Sequence, residues 1–211
     1  MLTLLTTTGT RDYAWMLCQK YMHRQTYSGR VRWIIVDDGE NAQQITFKRP
    51  GWDLIVLRPE PFWQHGQNTQ QRNLLAGLRY VPNDAWLLII EDDDWYASDW
   101  LAVCEKHLRD FYMFGERNAR YYNVEKQVLR RLNNKNHASL CATAMRGPVL
   151  DLFRTMCASD RDFGFIDGKI WKRVAPQQKH LVGGTRVVGM KGLPGRDNIG
   201  IGKELRGVRD S

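Results

Sequence analysis

The chain has 211 residues, 31 Lys and Arg against 23 Asp and Glu, and a formal net charge of +8 at pH 7. That length bounds it to one domain, or one with a small appendage, able to bury about 70% of its unfolded surface without a disulfide or zinc staple. Its composition excludes a disordered or fibrous chain, and the apolar run at residues 1–5 is far too short for a signal peptide or a membrane span.

In chain order, residues 2–8 predict a short strand of Leu and Thr, and Gly9-Thr10 a turn. Residues 12–24 predict a helix, with Tyr13, Met16, Leu17, Lys20 and Tyr21 at helical spacing. Residues 31–36 read as a second strand, ending in Asp37-Asp38-Gly39, where Asp-Gly signals a turn. A third short strand follows at 53–57, and a helix at 67–81 carrying Leu74, Leu75 and Leu78. Residues 86–90, Trp-Leu-Leu-Ile-Ile, form a fully apolar run that reads as a buried strand. Ser98 is a fair N-cap for a helix from about 99 to 111. The order β-α-β-β-α-β-α predicts an α/β layer fold, Rossmann-like, with a mostly parallel central sheet flanked by helices. Right-handed crossovers put all parallel carboxyl ends on one edge, so Asp37, Asp38 and the residues after 90 are expected to share one crevice.

Those residues are four consecutive acids, Glu91-Asp92-Asp93-Asp94. Two like charges ~4 Å apart cost roughly 4 kcal/mol at an effective dielectric of ~20. Such a cluster is tolerable in solvent, at a helix N-terminus or around a cation. The carboxyl end of a buried strand is where open α/β sheets bind ligands, which points to a hard-metal site facing a substrate. Asp94 is expected to begin the next helix, where a carboxylate is favourable.

The second half is less regular. Residues 116–136 are basic and polar, 138–145 read as a strand, 147–157 as a short helix, and 162–174 hold an aromatic and aliphatic set around Asp167. The segment 183–208 carries eight glycines and reads as a basic loop. Its Lys191 and Arg196, among glycines that let backbone N–H groups approach a phosphate, are candidates to close over a diphosphate. No P-loop pattern is present. His180 is a possible extra metal ligand, although a lone histidine usually is not one.

Together these pieces resemble the family 2-type glycosyltransferases of the GT-A fold, well over about residues 2–110 and loosely over 138–175. Thr7-Thr8-Gly9-Thr10-Arg11 is similar to that family's Pro-Thr-x-x-Arg turn, with Thr7 in place of the proline. Residues 35–39, Ile-Val-Asp-Asp-Gly, resemble its V-D-D-G-S element, with Glu40 replacing the serine. Arg72-Asn73 resembles its helical Arg-Asn pair, and residues 86–95 its hydrophobic strand and D-x-D metal motif. The resemblance implies a UDP-sugar donor and Mn²⁺ or Mg²⁺. It implies Asp93 as the direct metal ligand with Glu91, and Asp92 in support. Asp37 or Asp38 would accept from the uracil N–H, and Thr7 and Thr8 would contact the base. Arg11 and Arg72 would lie beside the nucleotide. Residues 163–171 resemble the base-bearing segment, which makes Asp167 the expected catalytic base, with Asp160 and Asp162 as rivals. The implied organisation is a single domain with a nucleotide-sugar half at 1–110, an acceptor and base half at 111–182, and a basic loop at 183–211.

Charge is unevenly placed, −2 over residues 1–100 and +10 over 101–211. That excess, with Tyr121 and Tyr122 among arginines, points to a polyanionic acceptor. DNA bearing hydroxymethylated pyrimidines, the acceptor of phage-type enzymes of this general kind, is the expectation, ahead of a saccharide. A metal-dependent nuclease and a non-catalytic nucleic-acid-binding module are the competing classes. Four cysteines without C-x-x-C or zinc spacing fit reduced, buried thiols, and a cytoplasmic setting (for a phage protein, that of the infected bacterium).

Overall fold

The computed structural model describes residues 1–195. The first half runs β1 (Leu2–Thr8), α1 (Asp12–His23), β2 (Val31–Asp37), β3 (Trp52–Leu57), α2 (Gln70–Leu78), β4 (Trp86–Ile89), β5 (Asp94–Tyr96) and α3 (Trp100–Leu108). The second half runs β6 (Met113–Arg117), β7 (Arg120–Asn123), β8 (Val128–Arg131), β9 (Thr143–Arg146), α4 (Pro148–Cys157), α5 (Asp160–Phe163), α6 (Ile166–Arg173), β10 (Lys179–Gly183) and β11 (Val187–Lys191).

Seven strands form the main sheet in the order β10-β6-β9-β4-β1-β2-β3. Every adjacent pair is parallel except the two made by β9, which runs against β4 and β6. The apolar runs of β1, β2 and β4 lie at the sheet's centre with both faces covered, which is why they read as nearly continuous hydrophobic sequence. Trp15, Trp33, Trp100, Trp171, Phe114 and Phe153 are the largest fully buried side chains. Trp33 anchors one aromatic cluster, its ring centroid 5.4 Å from Trp15 and 5.0 Å from Phe47. Its indole N–H donates to Thr6 Oγ1 at 2.9 Å, so the buried polar edge is satisfied.

Register places the site. Thr8 pairs with Asp37 across β1 and β2, and Leu5 with Ile89 across β1 and β4. The carboxyl ends of the three central strands therefore emerge side by side. The chain is packed tightly there: at Gly9, with φ +145°, a Cβ would sit 2.3 Å from Asp38 Oδ1 and 2.6 Å from Gly39 N. Only glycine admits that approach.

A second, four-stranded sheet has the order β5-β11-β7-β8. It corrects three expectations. Asp94 does not start a helix; it opens β5, opposite Gly189 of β11. The basic stretch after 116 is a hairpin of β7 and β8 rather than irregular chain, and β11 lies inside the segment read as a loop. β8 pairs only locally, but β5 and β7 both depend on β11, which is distant in sequence, and short polar segments become strands only when such a partner is supplied. The stretch read as a strand from 138 is a 3₁₀ turn, Leu140–Ala142, before β9. In α1 the helix is as expected but its inner face is not: Tyr13 and Met16 are about half exposed, while Ala14, Trp15, Cys18 and Met22 are buried. All four cysteines are free and buried. No described helix is long and apolar enough to cross a membrane.

Candidate active site

Thr8, the last residue of β1, joins the two acidic segments. Its carbonyl accepts from Asp38 N at 3.1 Å, and its hydroxyl donates to Asp92 Oδ2 at 2.7 Å. Asp37, Asp38 and the 91–94 turn thus line one crevice. Thr7, just before Thr8 on β1, is half-buried beside it.

The two aspartates after β2 do different work. Asp37 shapes the loop, its Oδ1 accepting from Gly39 N at 3.0 Å and its Oδ2 from Gln43 N at 2.8 Å. Asp38 is fully buried, and side chains from α2 and from the residue that precedes it converge on its Oδ2. These are the Thr69 hydroxyl, Asn73 Nδ2 at 2.7 Å and Arg72 at 3.3 Å. The sequence marks Asn73 only as part of the Arg-Asn pair, with no role of its own, and does not mark Thr69 at all. The signal available was their four-residue spacing at the start of a helix, which puts both on one face. Arg72 also donates to the Pro61 carbonyl at 2.6 Å, so it ties the 58–69 loop to the crevice.

Two cations answer the four acids. Arg11, at the end of the β1 turn, donates to Asp92 Oδ1 at 2.7 Å and lies 3.8 Å from Asp93. Burial alone would pull its pKa down, but Asp92 and Asp93 hold it well above the ordinary arginine value. Lys191, the last residue of β11, reaches Asp93 Oδ2 at 3.5 Å and lies over the Tyr121 ring. It too is held above its ordinary value, burial being outweighed by Asp93, Asp94 and Glu91. Lys191 is thus at the acidic turn, as a strand residue. Arg196 lies outside the described residues.

The remaining acids are under-compensated. Loss of hydration, then Asp94 and Asp93, push Glu91 well above the carboxylate range. Asp94 is pushed up to about 7, by burial first and Asp93 next. Asp92 is raised by burial despite Arg11. If all four ionise, two negative charges exceed what Arg11 and Lys191 neutralise, which is the balance a divalent cation restores. The residues present therefore fit such an ion. The ligand atoms that converge most closely belong to Glu91, Asp94 and Cys141, all within 4.8 Å of one another. Asp93, expected as the direct ligand, is the acid paired with Lys191 and Arg11.

Asp167 lies in the first turn of α6, where its Oδ1 accepts from Gly168 N at 2.8 Å. The side chains of Asp160 and Asp162 lie outside the described residues. His180 does not join the acidic group; it stacks on Phe111 at 4.9 Å and beside His107 at 4.8 Å. On the second-half side a cleft of about 470 Å³ is lined by Asn118, Arg120, Arg131, Asn133 and Thr185. It adjoins a smaller pocket that shares Asn118 and Arg120 and reaches Tyr121, Ser139 and Cys141. A basic surface thereby leads toward the acidic turn.

No protein-family model and no curated protein sequence matches the chain. Solved structures do. TarS of S. aureus aligns with a TM-score of 0.60 at 10% identity, over 90% of this chain and 37% of TarS. Its 1–349 portion in complex with UDP-GlcNAc gives 0.59 at 11% identity, over 90% of this chain and 59% of that one. The same portion with UDP gives 0.59 at 10% identity, over 90% and 60%. The chain thus spans little more than a third of TarS and about three fifths of its 1–349 portion. At such identities the likeness is one of fold, and the fold of this chain is GT-A.

Proposed function

We propose that the chain transfers a sugar from a UDP-sugar to an acceptor hydroxyl, with a divalent cation, Mn²⁺ or Mg²⁺, held at the acidic turn. The observation that carries this reading is the convergence of three parallel strand ends on Thr8, Asp38 and the 91–94 carboxylates, with Arg11 and Lys191 beside them. The GT-A fold and the UDP and UDP-GlcNAc complexes of TarS support the nucleotide class.

A departing UDP builds negative charge on its diphosphate. A divalent cation, when bound, neutralises that charge as a Lewis acid. Glu91 and Asp93 would hold it, with Asp92 fixed by Thr8 and Arg11 as the rigid base of the turn. Arg11 and Lys191 add positive charge beside the acidic turn, and a preorganised charge of this kind stabilises a leaving group without reorganisation; we assign Arg196 a phosphate contact from the sequence alone. Asp38, Thr7, Thr8 and Arg72 would hold the nucleoside, and Asp37 shapes the loop under it. An acceptor hydroxyl needs its proton removed, a role we assign to Asp167.

The acceptor in this reading is a polyanion, because Arg120 and Arg131 line the cleft that leads toward the acidic turn. DNA carrying a hydroxymethylated pyrimidine is its most specific form. Calorimetry with UDP and UDP-GlcNAc, with and without Mn²⁺, tests the donor half. Nucleotide binding strengthened by Mn²⁺ is expected in the wild type and is lost in Asp93→Ala; a wild type that binds neither nucleotide sinks the proposal. Transfer to hydroxymethylated but not plain DNA tests the acceptor half. Donor hydrolysis without transfer to either would reject DNA. Asp167→Asn should abolish transfer and leave UDP binding unchanged.

A further inference from the structure

Cys141 has no role in the reading above, yet it stands against the acidic turn. Its Sγ and carboxylate oxygens of Glu91 and Asp94 all lie within 4.8 Å of one another. Asp94 is 1% exposed, and its Oδ1 is taken by Met190 N at 3.1 Å. Its Oδ2 is buried with no N–H or O–H donor among the described residues and lies against the Cys141 thiol. The thiol S–H is the one donor placed to serve that carboxylate, and a thiol is a weak donor, so a buried carboxylate with strong acceptor capacity is left under-compensated.

The three ligands are held from independent directions. Glu91 ends the β4 run, and its backbone N–H donates to the Tyr96 hydroxyl at 2.8 Å. Asp94 is fixed by the β5–β11 pairing. Cys141 sits in the Leu140–Ala142 turn, which is closed by Ala142 N to Ser139 O at 3.0 Å and by the Thr143 hydroxyl to the same carbonyl at 2.9 Å. With typical bonds of about 2.0–2.2 Å to oxygen and about 2.3 Å to thiolate sulfur, a tetrahedral ion holds its ligand atoms about 3.5 Å apart, so these three side chains need close by only about 1 Å to share one.

We propose that Cys141 is a ligand, as thiolate, to a divalent cation shared with Glu91 and Asp94, and that it biases the site toward thiophilic cations. A thiolate suits Zn²⁺, Co²⁺ or Cd²⁺, whereas Mg²⁺ and Ca²⁺ take oxygen ligands. On binding, the thiol proton leaves to solvent and the sulfur lone pair enters the metal–sulfur bond. This inference rests on the cation reading of the acidic turn, and not on sugar transfer.

The test uses the full chain, stripped of metal with a chelator and titrated with Co²⁺ alone, no nucleotide present. The wild type should show a near-ultraviolet thiolate-to-cobalt charge-transfer band saturating at one equivalent. Cys141→Ser should lose the band and bind Co²⁺ or Cd²⁺ at least roughly tenfold more weakly, with Mg²⁺ affinity changed little. Cys104→Ser, at a buried cysteine elsewhere in the core, should keep the band. Co²⁺ binding without the band in wild type, or a band that survives Cys141→Ser, overturns the proposal. If Cys141→Ser does not fold, the wild type decides alone: a thermal shift no larger with Cd²⁺ than with Mg²⁺ overturns it. Because no donor is used, failure here leaves the UDP-binding result to stand or fall separately.

Discussion

Lys191 Nζ lies 3.5 Å from Asp93 Oδ2, though 98 residues separate them. The pairing exists because β11 runs antiparallel to β5 and parallel to β7, which delivers its last residue to the acidic turn. Both side chains are nearly buried, at 9% and 6% exposure. The lysine is therefore a built-in counterion for the turn as well as a candidate phosphate contact.

Lys191→Met should separate those two roles. Leaving buried carboxylates with one cation fewer lowers stability by about 3–5 kcal/mol in chelator. A divalent cation, which supplies the missing charge, should recover part of that loss. Urea unfolding with EDTA and with Mn²⁺ measures both quantities. Equal losses under the two conditions would mean that Lys191 and the cation do not share the same charge.

Asp92 is the structural member of the four acids. It takes the Thr8 hydroxyl and the Arg11 guanidinium, each at 2.7 Å, and is 2% exposed. Asp92→Asn should cost about 3–5 kcal/mol by stranding Arg11. Asp93→Asn should cost less, because Arg11 keeps Asp92, and should remove metal-strengthened UDP binding. Paired chemical denaturation and calorimetry on the two variants check the contrast. A larger stability loss from Asp93→Asn would reverse the assignment.

Asp38 serves the fold and the site at once. Thr69, Asn73 and Arg72 all donate to its Oδ2. Asp38→Ala leaves two buried donors, Thr69 and Asn73, without that acceptor, at about 1–3 kcal/mol each. Thr69→Ala with Asn73→Leu, which removes donors and acceptor demand together, should cost less when added to Asp38→Ala than in the wild-type background. A double-mutant cycle by urea unfolding reads that coupling, expected at about 0.5–3 kcal/mol. Additive losses would mean that Thr69 and Asn73 do not act through Asp38.

Much of this crevice was legible from residues 1–93, and the reason is physical. β1, β2 and β4 are buried on both faces, so their sequences announce them, and the right-handed crossover rule brings their carboxyl ends together. Asp37, Asp38 and Asp92 fall where that logic puts them, while Arg72, expected from the family resemblance alone, lies against Asp38. What stayed hidden depends on pairing across long sequence distance. Asp94 looked like a helix start because nothing local reveals Gly189 opposite it. Lys191 looked like a loop residue because β11 is short and glycine-bearing, and Gly189 is required there by the Tyr121 ring, 2.4 Å from where a Cβ would be. Cys141 carried no signal at all: a lone cysteine in a stretch of small and apolar residues acquires meaning only when a turn sets it against Glu91 and Asp94. In α1, Tyr13 and Met16 drew the eye, yet Ala14, Trp15, Cys18 and Met22 face inward, since two apolar stripes on one helix cannot be ranked without the sheet it packs on.

His107 gives the fold a pH dependence remote from the acidic turn. Its ring stacks on Phe114 at 4.3 Å and lies 4.8 Å from His180 of β10. Burial first, then His180, Lys106 and Arg186, lower its pKa from 6.5, with only Asp110 opposing. For a base with a depressed folded pKa, the unfolded chain binds more protons between the two values, so stability falls as pH drops through 6.5 and levels off below the folded value. His107→Gln removes that proton. The stability of wild type relative to His107→Gln, measured by urea unfolding from pH 8 to 5, should be constant above the unfolded pKa and decline below it. A relative stability that rises on acidification would show that His107 gains, rather than loses, proton affinity on folding, and a flat difference would show that the stack with Phe114 and His180 leaves its titration unchanged.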